Sequence, residues 1–164
     1  MAVSTFVGTL TSSASLGSVA YTGVGFKPKL VLFWLTYNQG TGATAFMIVG
    51  FGAGVSATNR FAISSRSDDN VATANTGQRA DNEHVILMVD SSGPPVVVMS
   101  ADLVSLDDDG FTLDWDDAGT GIVINYMAIG GSHFQVNINA FLTAAETGTE
   151  AYTGVGFKPE GLLI

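Results

Sequence analysis

The stretch Asp107-Asp-Asp-Gly-Phe-Thr-Leu-Asp-Trp-Asp-Asp117 joins a turn to a strand, and it decides the fold class. Residues 107–110 supply the side-chain hydrogen bonds and the positive φ that a tight hairpin requires. Phe111, Leu113 and Trp115 then alternate with polar residues, which is the period-two pattern of a strand with one buried face. The stretch therefore predicts a β-hairpin with Trp115 in a hydrophobic core.

The same signals extend along the chain. Alternation over residues 134–142 predicts another half-buried strand, and five segments are apolar on both faces, as central strands are: 29–37, 43–51, 85–90, 96–101 and 122–129. Trp34 lies within the first of these segments and is expected in the core. The glycine-rich residues 50–54 are expected to form a bulge or a loop. We predict an all-β fold, an antiparallel β-sandwich of jelly-roll type with about ten strands.

The composition excludes several classes of partner. The chain has 164 residues, a formal net charge of −9, 13% charged residues and no cysteine. No Lys or Arg lies between Arg79 and Lys158, so no basic patch for nucleic acid is expected there. No apolar run approaches the roughly 20 residues that span a bilayer, so no membrane insertion is expected. The low charge is typical of β-rich proteins in large assemblies.

An internal repeat divides the chain. The sequence Ala20-Tyr-Thr-Gly-Val-Gly-Phe-Lys-Pro28 reappears unchanged as Ala151-Tyr-Thr-Gly-Val-Gly-Phe-Lys-Pro159. A repeat of about 130 residues indicates a duplicated domain. We expect a β-sandwich domain over residues 1–135 and, over 136–164, the beginning of a second repeat or a segment that donates strands to this or a neighbouring subunit. The first interpretation is favoured, since the apolar residues up to 164 lack an obvious partner.

Clustered aspartates are candidate metal ligands. Carboxylates from adjacent turns could converge on a hard cation such as calcium, and the candidates are Asp107, Asp109, Asp114 and Asp116. Their spacing matches no complete EF-hand loop. The alternative is that these carboxylates cap amides in local turns.

Two polar regions are candidate ligand-binding surfaces. One lies at a loop entrance, and its candidate residues are Tyr37, Asn38 and Gln39. The other lies in the polar stretch of residues 60–81, and its candidate residues are Arg66, Asp68 and Asn70. Each region is equally compatible with a solvated loop or a subunit contact. His84 and His133 have no spacing that suggests a catalytic triad, so no enzymatic activity is expected.

Three motifs carry a resemblance to a known class of domains: Gly25-Phe-Lys-Pro-Lys-Leu-Val-Leu-Phe33, Asp109-Gly-Phe-Thr-Leu-Asp-Trp115 and Asn125-Tyr-Met-Ala-Ile-Gly-Gly131. The pattern resembles the β-sandwich repeat domains in virion proteins of tailed bacteriophages and phage-like particles. The resemblance implies a fibre, spike, tail or capsid-decoration component that acts in assembly or host attachment. It also implies a homo-oligomer that contacts other virion proteins on the virion surface, after assembly in the bacterial host cytoplasm. The alternative is a carbohydrate-binding module for cell-surface polysaccharide.

Overall fold

The computed structural model describes residues 2–37, 46–69, 73, 75–119, 121–140 and 147–163. Within these ranges the secondary structure consists of β-strands, turns and irregular segments. The strands are β1 (Ser4–Thr11), β2 (Gly17–Thr22), β3 (Pro28–Thr36), β4 (Met47–Ser56), β5 (Asn59–Asp68), β6 (Asn75–Asp81), β7 (Ile86–Val89), β8 (Val97–Asp107), β9 (Gly110–Asp117) and β10 (Val123–Gly130). A search of the described residues finds no helix with the length and apolarity to cross a membrane.

The strands form two sheets that pack face to face. The larger sheet has the order β1-β10-β3-β4-β5-β6 and the smaller has the order β2-β9-β8-β7. Every neighbouring pair is antiparallel. Asp107 pairs with Gly110 across the predicted hairpin, which joins β8 to β9. The predicted antiparallel β-sandwich is confirmed.

Aromatic rings connect the two sheets at the centre of the core. Phe111 on β9 packs edge-on against Phe33 on β3 and Tyr126 on β10, with ring centroids 5.5 and 5.1 Å apart. Tyr21 stacks on the same phenylalanine at 5.6 Å, and its hydroxyl accepts a hydrogen bond from Trp115 Nε1 at 3.1 Å. Trp115 is 1% exposed, so its predicted place in the core is confirmed.

Two glycines on the inner face of β4, Gly50 and Gly52, allow the backbone of residues 85–87 to approach closely. A Cβ atom at Gly52 would lie 2.0 Å from the carbonyl oxygen of Val85, and one at Gly50 would lie 2.8 Å from the carbonyl oxygen of Leu87. Of the expected bulge or loop over residues 50–54, the loop is wrong: the stretch is strand, and its register becomes irregular only between Gly54 and Ser56. Glycine is required here because two backbones meet.

Three other expectations based on apolar patterns are also wrong. β7 is an edge strand, not a central one, and it is buried because it packs against β4 and β5 of the facing sheet. Residues 134–140 alternate between half-buried and exposed side chains but form no strand. An extended segment can bury every second side chain without backbone hydrogen bonds to a neighbouring strand. Trp34 is half-buried outside the core, on the outer face of β3.

The second copy of the repeated sequence keeps the turn conformation of the first. Gly154 and Gly156 have φ values of 87° and 83°, against 91° and 83° at Gly23 and Gly25. In the first copy the intervening Val24 is buried in the core. Residues 147–163 form no strand, and several of their apolar side chains are exposed. The division into residues 1–135 and 136–164 stays a prediction.

Candidate functional site

The outer face of the six-stranded sheet is a continuous surface without charge. Leu32 and Trp34 flank the core residue Phe33 on β3, so they point away from the core. Cross-strand pairing places further residues beside these two, in three rows that run across the strands. The row through Leu32 contains Val7, Met127, Leu32, Ala53 and Phe61, and the row through Trp34 contains Thr9, Asn125, Trp34, Phe51, Ile63 and Ala80. The third row contains Thr36, Val49, Ser65 and Gln78. We call these residues the uncharged face, since none of them ionises.

Most residues of the uncharged face are apolar, and several of them are exposed. Val49 and Ile63 are each 47% exposed, and Val7 is 62% exposed. The half-buried rings of Trp34 and Phe51 lie side by side between them. Five inter-strand spacings of about 4.8 Å make the face about 24 Å wide. Contiguous exposed apolar surfaces of this kind are typical of protein contact sites.

Residues from both predicted ligand-binding regions form one cluster at one end of β5. The Tyr37 ring packs on Phe46 with centroids 5.1 Å apart, and the guanidinium of Arg66 lies 5.0 Å from the centre of the same Phe46 ring. Arg66 Nε donates to Asp68 Oδ1 at 2.8 Å, and Ser91 Oγ donates to the other carboxylate oxygen. The structure thus brings three of the predicted residues together, while Asn38, Gln39 and Asn70 lie outside the described residues.

Each carboxylate oxygen of Asp68 accepts a hydrogen bond from a local partner. Hydrogen bonds from Ser91 and Arg66 hold the pKa of its carboxyl group below the usual value. Phe46 and Ser91 complete the cluster, and neither carries a sequence signal, because a single aromatic residue and a single serine in loops match no motif. The polar groups of this cluster mainly bind each other, which leaves the Tyr37 ring as its exposed element.

The four predicted calcium ligands do not converge among the described residues. Asp107 accepts hydrogen bonds from Ser105 Oγ at 2.7 Å and Thr112 Oγ1 at 2.8 Å, which lower the pKa of its carboxyl group. Asp114 accepts a hydrogen bond from Ser18 Oγ at 2.8 Å. Asp116 instead belongs to a group with His84 and Asp102, described below.

Asp109 binds the repeated turn. Its two carboxylate oxygens accept the backbone N–H groups of Gly23 at 3.1 Å and Gly25 at 2.5 Å, and its carbonyl oxygen accepts that of Val24 at 3.2 Å. Both glycines have positive φ, so the turn exposes a concave row of N–H groups that suits an anion. Two of the motifs that carry the virion resemblance are therefore in contact here, and the role of Asp109 is to hold them together.

Removing this carboxylate is expected to destabilise the fold. Asp109→Ala should lower the free energy of unfolding by about 1–2 kcal/mol, because two backbone donors lose a charged acceptor. Urea denaturation measures the effect. Asp108→Ala is the matched control, since the Asp108 side chain is 98% exposed and lies 3.6 Å from Lys27 Nζ; this change should alter the stability by less than about 0.5 kcal/mol. Equal effects of the two changes would contradict the assignment.

His84, just before β7, meets Asp102 of β8 and Asp116 of β9. One donor atom from each lies within 4.8 Å of the other two. Burial raises the pKa of the Asp102 carboxyl group; the guanidinium of Arg60 lowers it, and the negative charge of Asp116 raises it further. Asp81 behaves in the opposite way: its burial is outweighed by hydrogen bonds from His84, so its pKa is lowered. The group therefore combines an imidazole with a local excess of negative charge.

Comparisons with protein-family models, with curated proteins and with solved structures return no match to this chain. The function is therefore inferred from the surfaces themselves. Three features stand out among the described residues: the uncharged face, the turn held by Asp109 and the His84 group. The largest of them by far is the uncharged face.

Proposed function

We propose that this chain is a structural module of a phage or phage-like particle, a fibre, spike, tail or capsid-decoration component that associates with copies of itself. The observation that carries the proposal is the uncharged face. The resemblance of three motifs to virion repeat domains supplies the biological setting. Assembly or host attachment is the role that this setting implies.

The uncharged face is the surface on which self-association meets the least electrostatic opposition. The chain has a net charge of −9, so two copies repel each other at most orientations. Contact through the uncharged face removes apolar side chains from water, and none of the residues of the face carries a charge, although Arg79 lies at its border. Trp34 and Phe51 at the centre of the face are the residue types that dominate binding energy in such contacts.

The repeat supports a modular protein. Gly154 and Gly156 reproduce the φ values of Gly23 and Gly25 although residues 147–163 form no strand. A local sequence that keeps its turn in two settings is suited to tandem domains. Polysaccharide binding is the weaker proposal, because the cluster around Arg66 satisfies its own polar groups.

Self-association should be measurable and should depend on the uncharged face. Light scattering and sedimentation at micromolar concentration are expected to find an oligomer. The double change Val49→Asp and Ile63→Asp should produce a folded monomer, because it places two negative charges in the contact.

The control is Val104→Asp, which alters a valine of similar exposure, 43% against 47%, on the other sheet. This variant should remain oligomeric. A monomeric parent chain would contradict the proposal, and so would equal dissociation by the control variant.

A further inference from the structure

We propose that His84, Asp102 and Asp116 bind a divalent transition-metal ion of the zinc class. The three side chains come from different segments: the loop before β7, strand β8 and the end of strand β9. One potential donor atom from each lies within 4.8 Å of the others. The three side chains belong to the four-stranded sheet and the loop before it, and none of them is a member of the uncharged face.

The imidazole ring of His84 is held by a neighbouring carboxylate. Its Nδ1 atom lies 2.9 Å from both carboxylate oxygens of Asp81. Asp81 is fixed in turn by the backbone N–H groups of Glu83 and His84, at 3.3 and 3.2 Å, and by Arg79 Nε at 3.2 Å. A neutral imidazole that donates from Nδ1 keeps its lone pair on Nε2. A carboxylate behind the ring is the usual arrangement for histidines that bind metals.

Asp102 is held in a comparable way. Arg60 donates from one terminal nitrogen to Asp102 Oδ2 at 2.7 Å and from the other to the carbonyl oxygen of Leu103 at 2.9 Å. The second carboxylate oxygen, Oδ1, is buried and has no hydrogen-bond partner among the described residues. A buried oxygen without a partner is costly, and a cation would provide the missing partner. This observation is independent of the spacing of the three side chains.

The donor set indicates the class of ion. One imidazole nitrogen and two carboxylate oxygens suit zinc and its neighbours, whereas calcium takes six to eight oxygen ligands. Tetrahedral ligands at about 2.0–2.1 Å from zinc are roughly 3.3 Å apart, so the group must contract on binding. Asp116 is exposed near the end of β9, and it is the side chain with room to move inward. A water molecule would take the fourth position.

Zinc titration tests the site directly. The chain, without a polyhistidine tag and after treatment with chelator, is titrated with zinc chloride in a calorimeter. We expect one equivalent to bind, and His84→Gln and Asp116→Asn each to weaken the affinity at least tenfold. Asp116 is exposed, so its variant tests the site without disturbing the core. Cobalt(II) should give the visible absorption of a tetrahedral nitrogen and oxygen environment.

His133→Gln is the matched control, because His133 is an exposed histidine far from the group in sequence. This variant should bind zinc as tightly as the parent. The proposal is overturned if the parent does not bind zinc up to millimolar concentration, if Asp116→Asn and His84→Gln bind like the parent, or if His133→Gln removes the binding. Preferential binding of calcium would overturn the assignment to the zinc class.

Discussion

Replacing Gly52 by alanine is expected to destabilise the sandwich by about 3–5 kcal/mol, a large part of the stability of a domain this size. The new methyl group would lie 2.0 Å from the carbonyl oxygen of Val85 and 2.8 Å from its carbonyl carbon. Both atoms belong to the backbone next to β7, so they cannot rotate away as the end of a side chain can. The two sheets would have to separate locally, and buried β7 would lose its contacts with β4.

Gly54→Ala provides the matched control on the same strand and face. Its added methyl group would meet side-chain atoms, Leu103 Cδ2 at 2.7 Å and Val85 Cγ1 at 2.9 Å. These atoms can shift, so a loss of about 1 kcal/mol is expected. Urea denaturation followed by tryptophan fluorescence compares the two variants. Equal stability losses, or a Gly52→Ala variant as stable as the parent, would show that β7 does not lie so close to β4.

Features determined by neighbouring residues could be predicted from the sequence. The hairpin of residues 107–117 depends on its own aspartates, its glycine and its alternating strand, and all of these lie within a few residues of one another. The same holds for the burial of Trp115. Its strand has one apolar face and one polar face, so only the apolar face can point into the core. Fold class followed from repeated local signals of this kind.

Strand environment could not be predicted where both faces of a strand are apolar. Trp34 on β3 and Ile86 on β7 lie in runs with the same appearance, yet one strand is central with an apolar outer face and the other is a covered edge. The difference depends on which strands pair and which sheet lies opposite. Such contacts connect distant parts of the chain, and period-two patterns contain no information about them.

The candidate sites show the same limit: contacts between residues that are distant in the sequence could not be predicted from it. Asp107 and Asp109 lie in an obvious turn, but neither carboxylate caps an amide of that turn: Asp107 accepts from the hydroxyl groups of Ser105 and Thr112, and Asp109 accepts from N–H groups of the distant repeated turn. His84 and Asp102 come together only because β7 pairs with β8. No spacing in the sequence indicates that contact. The calcium prediction therefore included Asp116 but missed the two residues that the fold places beside it.

The two tryptophans separate stability from assembly. Trp115→Ala should lower the free energy of unfolding by about 3–5 kcal/mol, because a side chain that is 1% exposed leaves a cavity between the sheets and Tyr21 loses a hydrogen-bond donor. Trp34→Ala should cost only about 1 kcal/mol in the isolated subunit, since Trp34 is half-buried on the outer face. Denaturation must be measured well below the concentration of association, because assembly itself adds apparent stability.

Self-association should depend more on Trp34 than on Trp115, which is the opposite of the order for stability. Trp34 lies between Asn125 and Phe51 at the centre of the uncharged face, so Trp34→Ala is expected to weaken self-association at least tenfold. Sedimentation over a range of concentrations measures this change. If Trp34→Ala destabilised the subunit as much as Trp115→Ala and left its association unchanged, the uncharged face would be part of the folded core and not a contact surface. The proposed assembly would then lose the observation that carries it.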